Sequence, residues 1–315
     1  MAGALGVVLT GDAVVVEGRA AVPVYVDDTL PIVGPSRAVV VVTSGPMAGG
    51  PATPVRVAPV GTNAIGPALP VYVVPGGGSL GANPLAYTNK VIALAPIAYW
   101  PLAESSGTTI VDESGNGRNG VYRASGEPLL GQAGIGDGRT CPLFDGTNDF
   151  ANVFSASLQG AFNSAEGTLA LWFKVAAAGV WTDATTRRLM YFQADASNRV
   201  RFEKSTTNNQ IAFVYTAGAT AKSVLWNNAG PLGWQHIAIT WTKSGDQMIA
   251  YQNGAQTGAT QTALGTWVGN LAATTTAVGA SDTTGGNPWS GNLAHAAVWA
   301  SALSAAQIAT LAVVP

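Results

Sequence analysis

The sequence predicts an all-β protein, in which an antiparallel β-sandwich follows a smaller β arm. Over the second half of the chain, apolar residues alternate with period two, as they do in half-buried strands. Valine and proline are concentrated in the first 93 residues, a composition that disfavours helix, whereas all nine tryptophans lie in residues 94–315. A chain of 315 residues is long enough for about two domains, each with its own core.

Composition and charge exclude several functional classes. Charged residues make up 10% of the chain and the net charge is −2, so we expect no surface for nucleic acid or anionic membranes. A single cysteine excludes a disulfide framework and a cysteine-rich zinc site. The N-terminus has no positively charged segment, and Gly6, Gly11 and Asp12 interrupt its apolar run, so we expect no signal peptide. Residues 283–315 carry no charge but contain too many polar side chains for a membrane tail, so we expect no membrane insertion.

The N-terminal region contains a repeat with a period of about 16 residues, in segments 18–26, 34–42, 49–57 and 65–73. Each segment has an upstream glycine and a run rich in valine, which predicts short extended strands joined by turns. The equivalent position in the four segments is occupied by Pro23, Val39, Pro54 and Pro70. Because proline cannot donate a ladder hydrogen bond, we expect these strands to lie at edges or to pair on one side.

A glycine-rich stretch, Gly76-Gly77-Gly78-Ser79, indicates a flexible connection between the two regions. We therefore predict a docking and oligomerisation arm at residues 1–75, a linker at 76–94 and a sandwich domain at 95–315. Strands this short and apolar bury little surface alone. The arm is therefore interpreted as a segment completed by partner chains, with a small self-contained β-domain as the alternative.

Three segments of the sandwich region show the alternation most clearly: 167–175, 210–215 and 234–241. Next along the chain, a strand ends at Asn253-Gly254, which is the strongest short signal for a β-hairpin. Near the C-terminus, Ser304 and Gln307 have the spacing of a capping box, which predicts a short helix.

Five segments carry a resemblance to a known family. They are AYWPLAESSGTTIVDESGNGRNGVY (98–122), FDGTNDFANV (144–153), GTLALWFKV (167–175), GWQHIAITWTKSGDQMIAYQNGAQTG (233–258) and AVGASDTTGGNPWSGNLAHAAVWASALSAAQIATL (277–311). In this order they resemble a laminin-G-like, concanavalin A-like jelly-roll domain over residues 96–312. The resemblance implies carbohydrate or protein binding, and it does not reach residues 1–93. We expect Trp100 to anchor the first strand of the jelly roll against the last.

Some enzymes with this architecture are glucanases that carry carboxylates at alternate positions of one strand. Retaining glycosidases need two carboxyl groups about 5–5.5 Å apart. No E-x-D-x-E pattern occurs in this chain. The nearest pair, Asp145 and Asp149, is interpreted as capping a turn at a strand end, and Glu104 and Asp112-Glu113 as structural parts of the opening loop.

Three further residues with reactive side chains were considered as catalytic groups. His236 and His295 are interpreted as packed or surface residues of their strands, with His295 standing alone in the last one. Cys141 has no histidine nearby in the sequence. The sequence therefore predicts no catalytic residues and no enzyme.

The resemblance also implies Ca²⁺ bound through the opening loop, where Asp112 and Asn116 match the family pattern. In the closing strand, however, Leu293-Ala294-His295 stands where the family has an acidic pair. Since Ca²⁺ takes six to eight oxygen ligands, usually including carboxylates, this loss argues against the site. The sequence therefore predicts no cofactor and no metal ligands.

A carbohydrate site would use exposed aromatic rings for stacking and Asn or Asp for hydroxyl groups. Trp181, Trp226 and Trp289 lie in segments rich in glycine, asparagine or threonine rather than in alternating runs. Together with Asp282 and Asn287 they are the predicted carbohydrate-binding residues. The alternative for each tryptophan is packing at the rim of the sandwich.

These observations predict a non-enzymatic adhesion protein of a virus particle, such as a capsid decoration, head fibre or tail appendage of a tailed bacteriophage. The arm also weakly resembles phage structural proteins. Its predicted partners are other virion proteins through residues 1–75, further copies of the chain in a homo-oligomer, with a trimer as the guess, and cell-surface glycans. The alternatives are a secreted bacterial lectin or enzyme-accessory carbohydrate-binding module, a cementing protein that binds no sugar, and a glycoside hydrolase.

Overall fold

A computed structural model of the chain describes residues 84–124, 127–227 and 230–314, together with the backbone of three strands in the N-terminal region. The chain divides into two compact units, Met1–Gly81 and Ala82–Pro315, which are described separately. In the part of the chain that is described, no helix is long and apolar enough to cross a membrane.

The described strands of the first unit are β1 (Val14–Gly18), β2 (Val39–Thr43) and β3 (Tyr72–Val74). They pair in parallel in the order β1-β2-β3. Strand β2 lies in the repeat that has Val39 where the others have proline, and it pairs on both sides, as a position with a free N–H allows. Extended structure is thus confirmed in the repeats 34–42 and 65–73. The segments around Pro23 and Pro54 lie outside the described residues.

The second unit begins with a helix and continues mainly as strands. Its first half comprises α1 (Pro84–Ile92), β4 (Ala98–Trp100), β5 (Thr109–Ile110), β6 (Gly120–Tyr122), β7 (Leu129–Ala133), β8 (Thr140–Asp145), β9 (Ala151–Asn152), α2 (Ala156–Ala161) and β10 (Glu166–Val175). After a 3₁₀ turn, the second half comprises β11 (Arg187–Asp195), β12 (Asn198–Lys204), β13 (Gln210–Ala217), β14 (Thr220–Asn227), β15 (Gln235–Thr242), β16 (Gln247–Gln252), β17 (Ala255–Gln261), β18 (Thr276–Val278), β19 (Ser290–Trp299) and α3 (Ala305–Leu311).

These strands form two antiparallel sheets. Sheet I has the order β17-β16-β15-β10-β19-β8-β7, with β4 also paired to β19, and sheet II has the order β14-β13-β12-β11-β18-β9-β6-β5. The side chains that alternate inward from both sheets form one apolar core, which includes Leu169 and Phe173 of sheet I and Phe202 and Phe213 of sheet II. The predicted antiparallel β-sandwich, a concanavalin A-like jelly roll, is confirmed.

Several local predictions are confirmed as well. Trp100 is fully buried, pairs with Ala296 of the last strand and donates its indole N–H to the Arg118 carbonyl at 2.8 Å. The hairpin between β16 and β17 turns at Asn253-Gly254, both with positive φ, as the asparagine-glycine signal requires. Helix α3 begins at a complete capping box of Ser304 and Gln307.

Helices α1 and α3 pack on the outer face of sheet I, where a second apolar cluster includes Tyr87, Trp172 and Ile308. Helix α1 lies within the segment predicted to be a linker, residues 76–94, so the second unit begins earlier than predicted. The reason is tertiary packing: Tyr87 is 1% exposed and donates its hydroxyl to the Leu311 carbonyl at 2.7 Å. The glycine-rich stretch 76–79 lies outside the described residues, and the docking role of residues 1–75 stays a prediction.

Candidate functional site

A concave pocket lies at one end of the sandwich and is called the rim pocket. Its volume is about 410 Å³. It is lined by Glu127, Leu129, Leu143, Phe144, Asp145, Asn148, Asp149, Ala176 and Ser290. Five of these side chains are polar, and Leu129 is 61% exposed, so the pocket combines hydrogen-bonding groups with an apolar contact.

The turn after β8 positions two of the pocket carboxyl groups. Asp149 Oδ2 accepts a 2.7 Å hydrogen bond from the backbone N–H of Asp145, and Asp145 Oδ1 accepts one of 2.7 Å from Thr147. The interpretation of these two residues as turn and strand-end caps is confirmed. Burial, and then the negative charge of Asp145, raise the pKa of Asp149 to about 6, although the Asp145 N–H opposes the shift. Asp149 therefore loses its proton closer to neutral pH than an ordinary aspartate does.

The three predicted stacking tryptophans do not line this pocket. Trp181, Trp226 and Trp289 are 2%, 6% and 0% exposed, and all three pack edge-to-face on the ring of Phe173 inside the core. The expectation that their rings are exposed is wrong. Trp181 ends a 3₁₀ turn, Trp226 lies in β14 and Trp289 directly precedes β19. Burying an indole against other aromatic rings is strongly favourable, so each ring points inward.

The two polar residues predicted beside them lie in the loop before β19. Oδ1 of Asp282 accepts hydrogen bonds from the backbone N–H and the hydroxyl of Thr284 and from the N–H of Gly286. Burial raises the pKa of this carboxyl, but hydrogen bonds from Thr284 and Ser281 outweigh burial and lower it below its usual value. Asn287 is exposed and has a positive φ of 48°. Asp282 thus holds its own loop together, and sugar binding by this pair stays a prediction.

Fold and sequence point to the same family. A laminin-G-like family model, described as the concanavalin A-like lectin/glucanases superfamily, matches residues 145–309, which is more than half of the chain. The chain belongs to this superfamily. A search of curated protein sequences finds no match.

Solved structures of this fold resemble the second unit at low sequence identity. One is domain 4 of AbnA, an extracellular GH43 arabinanase from Geobacillus stearothermophilus, in complex with arabinotriose: TM-score 0.52 and 16% identity over 69% of this chain and 98% of that chain. Another is the receptor-binding domain of a mosaic serotype C/D botulinum neurotoxin: TM-score 0.53 and 14% identity over 70% of this chain and 51% of that one. A third is the serotype D ligand-binding domain with N-acetylneuraminic acid: TM-score 0.52 and 14% identity over 72% of this chain and 52% of that one. At such identities these similarities establish the fold.

The Ca²⁺ site implied by the superfamily does not fit the residues of this chain. Asp112 Oδ1 accepts hydrogen bonds from the N–H groups of Tyr99 and Ser114, and its Oδ2 accepts one from Arg118. The amide nitrogen of Asn116 donates to the backbone carbonyls of Pro96 and Ile97. No group of three or more His, Cys, Asp or Glu side chains is arranged around a metal position in the described segments.

His295, predicted to stand alone, belongs to a buried polar cluster. Its Nδ1 lies 2.7 Å from the Tyr99 hydroxyl, and its Nε2 lies 3.1 Å from Oδ2 of Asp137. The register of β19 shifts beside it and its φ is 53°, a bulge that redirects the side chain. This pairing could not be predicted from local sequence patterns, because Asp137 is far from His295 along the chain. Burial lowers the pKa of His295 below its usual value despite the neighbouring Asp137 carboxylate.

The remaining residues considered as catalytic groups have structural roles. His236 is 1% exposed, and burial, followed by the charge of His295, lowers its pKa to about 3. Burial raises the pKa of the Cys141 thiol to about 11. Glu104 accepts hydrogen bonds from the Val111 N–H and the Tyr122 hydroxyl, and Glu113 forms a bidentate pair with Arg139.

Proposed function

We propose that this chain is a non-enzymatic adhesion protein whose jelly roll binds carbohydrate in the rim pocket. The observation that carries the proposal is the convergence of Glu127, Asp145, Asn148, Asp149 and Ser290 on one cavity beside an exposed leucine. Carboxylate, amide and hydroxyl groups are the hydrogen-bonding partners that fix a sugar's hydroxyls, and an apolar side chain suits the face of its ring.

Two structural neighbours support a carbohydrate as the ligand class. The arabinanase domain is in complex with arabinotriose, and the serotype D toxin domain is in complex with N-acetylneuraminic acid. Binding is favoured over hydrolysis because Asp149 is 3% exposed and one of its oxygens already accepts the Asp145 N–H. A retaining mechanism needs both carboxyl groups free to reach the sugar.

For the biological setting, we propose the particle of a tailed phage, with residues 1–75 docking the chain and, as a trimer, presenting several jelly rolls. Short parallel valine-rich strands support an arm that gains further strand partners on assembly. Several copies on one particle convert weak sugar binding into useful avidity. Similarity to an arabinanase domain favours the alternative of a secreted lectin or enzyme-accessory module. Burial of the three tryptophans favours a cementing protein that binds no sugar.

A glycan array probed with the full-length chain tests the pocket. Asn148→Ala removes a lining amide that makes no side-chain hydrogen bond to the rest of the described chain, and we expect it to weaken retention of the bound glycan about tenfold. Asn208→Ala, in an exposed turn after β12, is the matched control and should bind like the parent. Absence of any bound glycan, or equal losses in the two variants, would contradict the proposal.

Light scattering tests whether residues 1–75 mediate self-association of the chain. We expect the full chain to be an oligomer and the fragment 82–315, which keeps α1, to be a folded monomer. If the full chain and the fragment are both monomers, self-assembly through the arm is wrong and the secreted-lectin alternative gains. Incorporation of the fragment into particles would contradict docking through residues 1–75.

A further inference from the structure

The rim pocket is strongly acidic. Glu127, Asp145 and Asp149 all line it, and no lysine or arginine is among the described residues that do. The hydroxyl groups of a neutral sugar can be met by uncharged partners such as Asn148 and Ser290, which line the same cavity. A cleft lined by charges of one sign concentrates potential and attracts ligands of the opposite sign. The cavity is therefore suited to a ligand that carries positive charge.

Asp149 is the buried carboxyl group of the pocket and is only partly satisfied by the protein. Its side chain is 3% exposed, and its Oδ2 accepts the backbone N–H of Asp145 at 2.7 Å. Its Oδ1 makes no hydrogen bond with any residue that the structure describes. Because most buried polar atoms in folded proteins are hydrogen-bonded, an oxygen left open in the wall of a cavity indicates a donor on the ligand.

Glu127 brings a second free carboxylate to the cavity. It lies just before β7, is exposed, and its side chain makes no hydrogen bond within the described segments. Asp145, in contrast, is held in its turn, where Oδ1 accepts the N–H of Thr147. Glu127 is therefore free to rotate onto a ligand that Asp149 has already engaged.

Nearby arginines leave the negative charge of the pocket largely in place. Arg123 donates to the Asn148 carbonyl at 3.4 Å, and Arg187 donates to the Gly146 carbonyl at 3.2 Å. Arg187 is already paired with Asp183 at 2.7 Å. Both arginines thus contact the backbone of the turn behind the pocket, and neither side chain lines the cavity.

The ionisation of Asp149 reflects this surplus of negative charge. Burial raises its pKa to about 6, and the charge of Asp145 adds to the shift, whereas the Asp145 N–H and the charge of Arg123 oppose it. A positively charged group placed beside the two carboxyl groups would favour the ionised form of Asp149. A cationic ligand therefore relieves a repulsion that the empty pocket contains.

The remaining lining residues favour a sugar as the carrier of this charge. Leu129 is 61% exposed and offers an apolar contact for a ring, while Asn148 and Ser290 offer an amide and a hydroxyl. A volume of about 410 Å³ falls within the range of small-molecule sites. A lysine side chain would use the carboxylates but has no hydroxyl groups for the amide and the serine.

We propose that the rim pocket selects amino sugars, with the ammonium group paired with Asp149 and Glu127 and the ring hydroxyls bound by Asn148 and Ser290. This inference rests on the proposed carbohydrate-binding function and gives that site a chemical class of ligand. An N-acetylated or 2-hydroxy sugar of the same shape lacks the charge that these carboxylates pair with, so it should bind more weakly.

Binding of the full-length chain to matched sugars tests the proposal. The first probes are β1,4-linked tetramers of glucose, N-acetylglucosamine and glucosamine, which differ only at C2, where they carry a hydroxyl, an acetamide and an ammonium group. Galactose, N-acetylgalactosamine and galactosamine form a second series with a different ring stereochemistry. In at least one series we expect the amine to bind about tenfold more tightly than both neutral members, the gain expected from one charge-assisted contact.

Two substitutions remove the charge with little change of shape. Asp149→Asn keeps an oxygen for the Asp145 N–H, and Glu127→Gln breaks no hydrogen bond to the described residues. Each should weaken binding of the amine about tenfold and binding of the neutral sugars less than twofold. Neither should lower the melting temperature.

Glu166→Gln is the matched control. It removes the same charge but keeps Oε1 as the acceptor for the Ala302 N–H. Glu166 begins β10, whereas the pocket residue Ala176 follows the last residue of this strand, so about 30 Å separates the control from the pocket. We expect less than a twofold change in binding of the amine. A loss equal to that of Asp149→Asn would show attraction by net charge and would overturn the proposal.

The amine selection and the pocket itself fail in different ways. If neutral array glycans bind and depend on Asn148, but neither amine binds more tightly than its neutral counterparts, the selection is wrong and the pocket stands. If no glycan on the array and no probe sugar binds, the carbohydrate site is wrong and the selection falls with it. Binding of polylysine that equals binding of the glucosamine tetramer would show that positive charge alone is recognised, and would overturn the assignment to a sugar.

Discussion

The two sheets share one core but differ in what lies on their outer faces. On sheet I, α1 and α3 cover the strands, and Trp172 donates to the Tyr87 hydroxyl, which in turn donates to the Leu311 carbonyl. On the outer side of sheet II, Arg188 and Arg201 form ion pairs with Glu203, and Nε of Arg188 and Nη1 of Arg201 have no acceptor among the described residues. The outer side of sheet I is therefore closed by apolar packing and paired polar groups, whereas the outer side of sheet II carries charged side chains that are incompletely paired.

The outer sides of the two sheets should differ most in how much stability is lost when a large side chain is truncated to alanine. Trp172→Ala on the covered face removes a 5% exposed indole, and we expect the free energy of unfolding to fall by about 3–5 kcal/mol. Leu225→Ala on the outer side of sheet II removes a side chain that is 48% exposed, and it should cost less than about 1 kcal/mol. Urea denaturation of both variants measures the difference. Equal losses would remove the distinction between the faces.

Buried His236, beside Trp172 on the outer side of sheet I, should make the stability of the protein sensitive to acid. An unfolded histidine titrates near pH 6.5, whereas the pKa of buried His236 is about 3, so the unfolded state binds the proton first and stability falls as the pH drops through this window. Between pH 7 and pH 5 we expect a loss of about 2 kcal/mol from this group. Thermal unfolding of the parent and of His236→Leu against pH checks this. A variant with an unchanged slope would show that His236 is not the source.

Removing only the hydrogen bonds of the Tyr87 hydroxyl should have a smaller effect on stability. Tyr87→Phe leaves the indole N–H of Trp172 and the Leu311 carbonyl without their partner, and we expect a loss of about 1–2 kcal/mol. Tyr191→Phe in β11 of sheet II is the matched control: the Tyr191 hydroxyl makes no hydrogen bond to a described residue, so its loss should change stability by less than about 0.5 kcal/mol. If the control loses as much as Tyr87→Phe, hydroxyl pairing does not distinguish the faces.

The smallest effect on stability concerns the rim pocket, where the Asp149 carboxyl accepts the backbone N–H of Asp145. The raised pKa of Asp149 means that its ionised form is disfavoured in the folded protein, so its contribution to stability is lost as the pH rises from about 4 to 6. Asp149→Asn keeps an oxygen for the Asp145 N–H, and we expect it to stabilise the protein by about 1 kcal/mol at pH 7 and not at pH 4. Stabilisation that is equal at both pH values would show that the ionisation of Asp149 is not the source.

The sandwich could be predicted from local sequence patterns. Each of these patterns needs only a few neighbouring residues: the period-two alternation of a strand, an asparagine-glycine turn and a capping box. The orientation of Trp181, Trp226 and Trp289 was missed for the opposite reason. Their flanking residues are rich in glycine, asparagine or threonine, whereas the direction of each ring depends on contact with Phe173, which comes from another part of the chain. Helix α1 was missed because its helical face becomes apparent only against α3.

The outward polar residues of sheet II and the rim pocket show the same limit. The alternation of Arg199, Arg201 and Glu203 with Val200 and Phe202 was visible in the sequence and marks an outward polar face. What the sequence does not reveal is that Arg188 from the next strand shares the same glutamate. Among the pocket residues, Asp145 and Asp149 were singled out, but Glu127 and Ser290 reach the cavity from distant segments.

The most direct test of this account is to map binding by backbone amide chemical shifts on the full-length protein, titrated with the glycan that the array identifies. We predict that the glycan shifts amides at residues 145–149 and 290 and does not shift those of β10 around Trp172. Shifts centred on the outer side of sheet I, or no shifts at all, would contradict it.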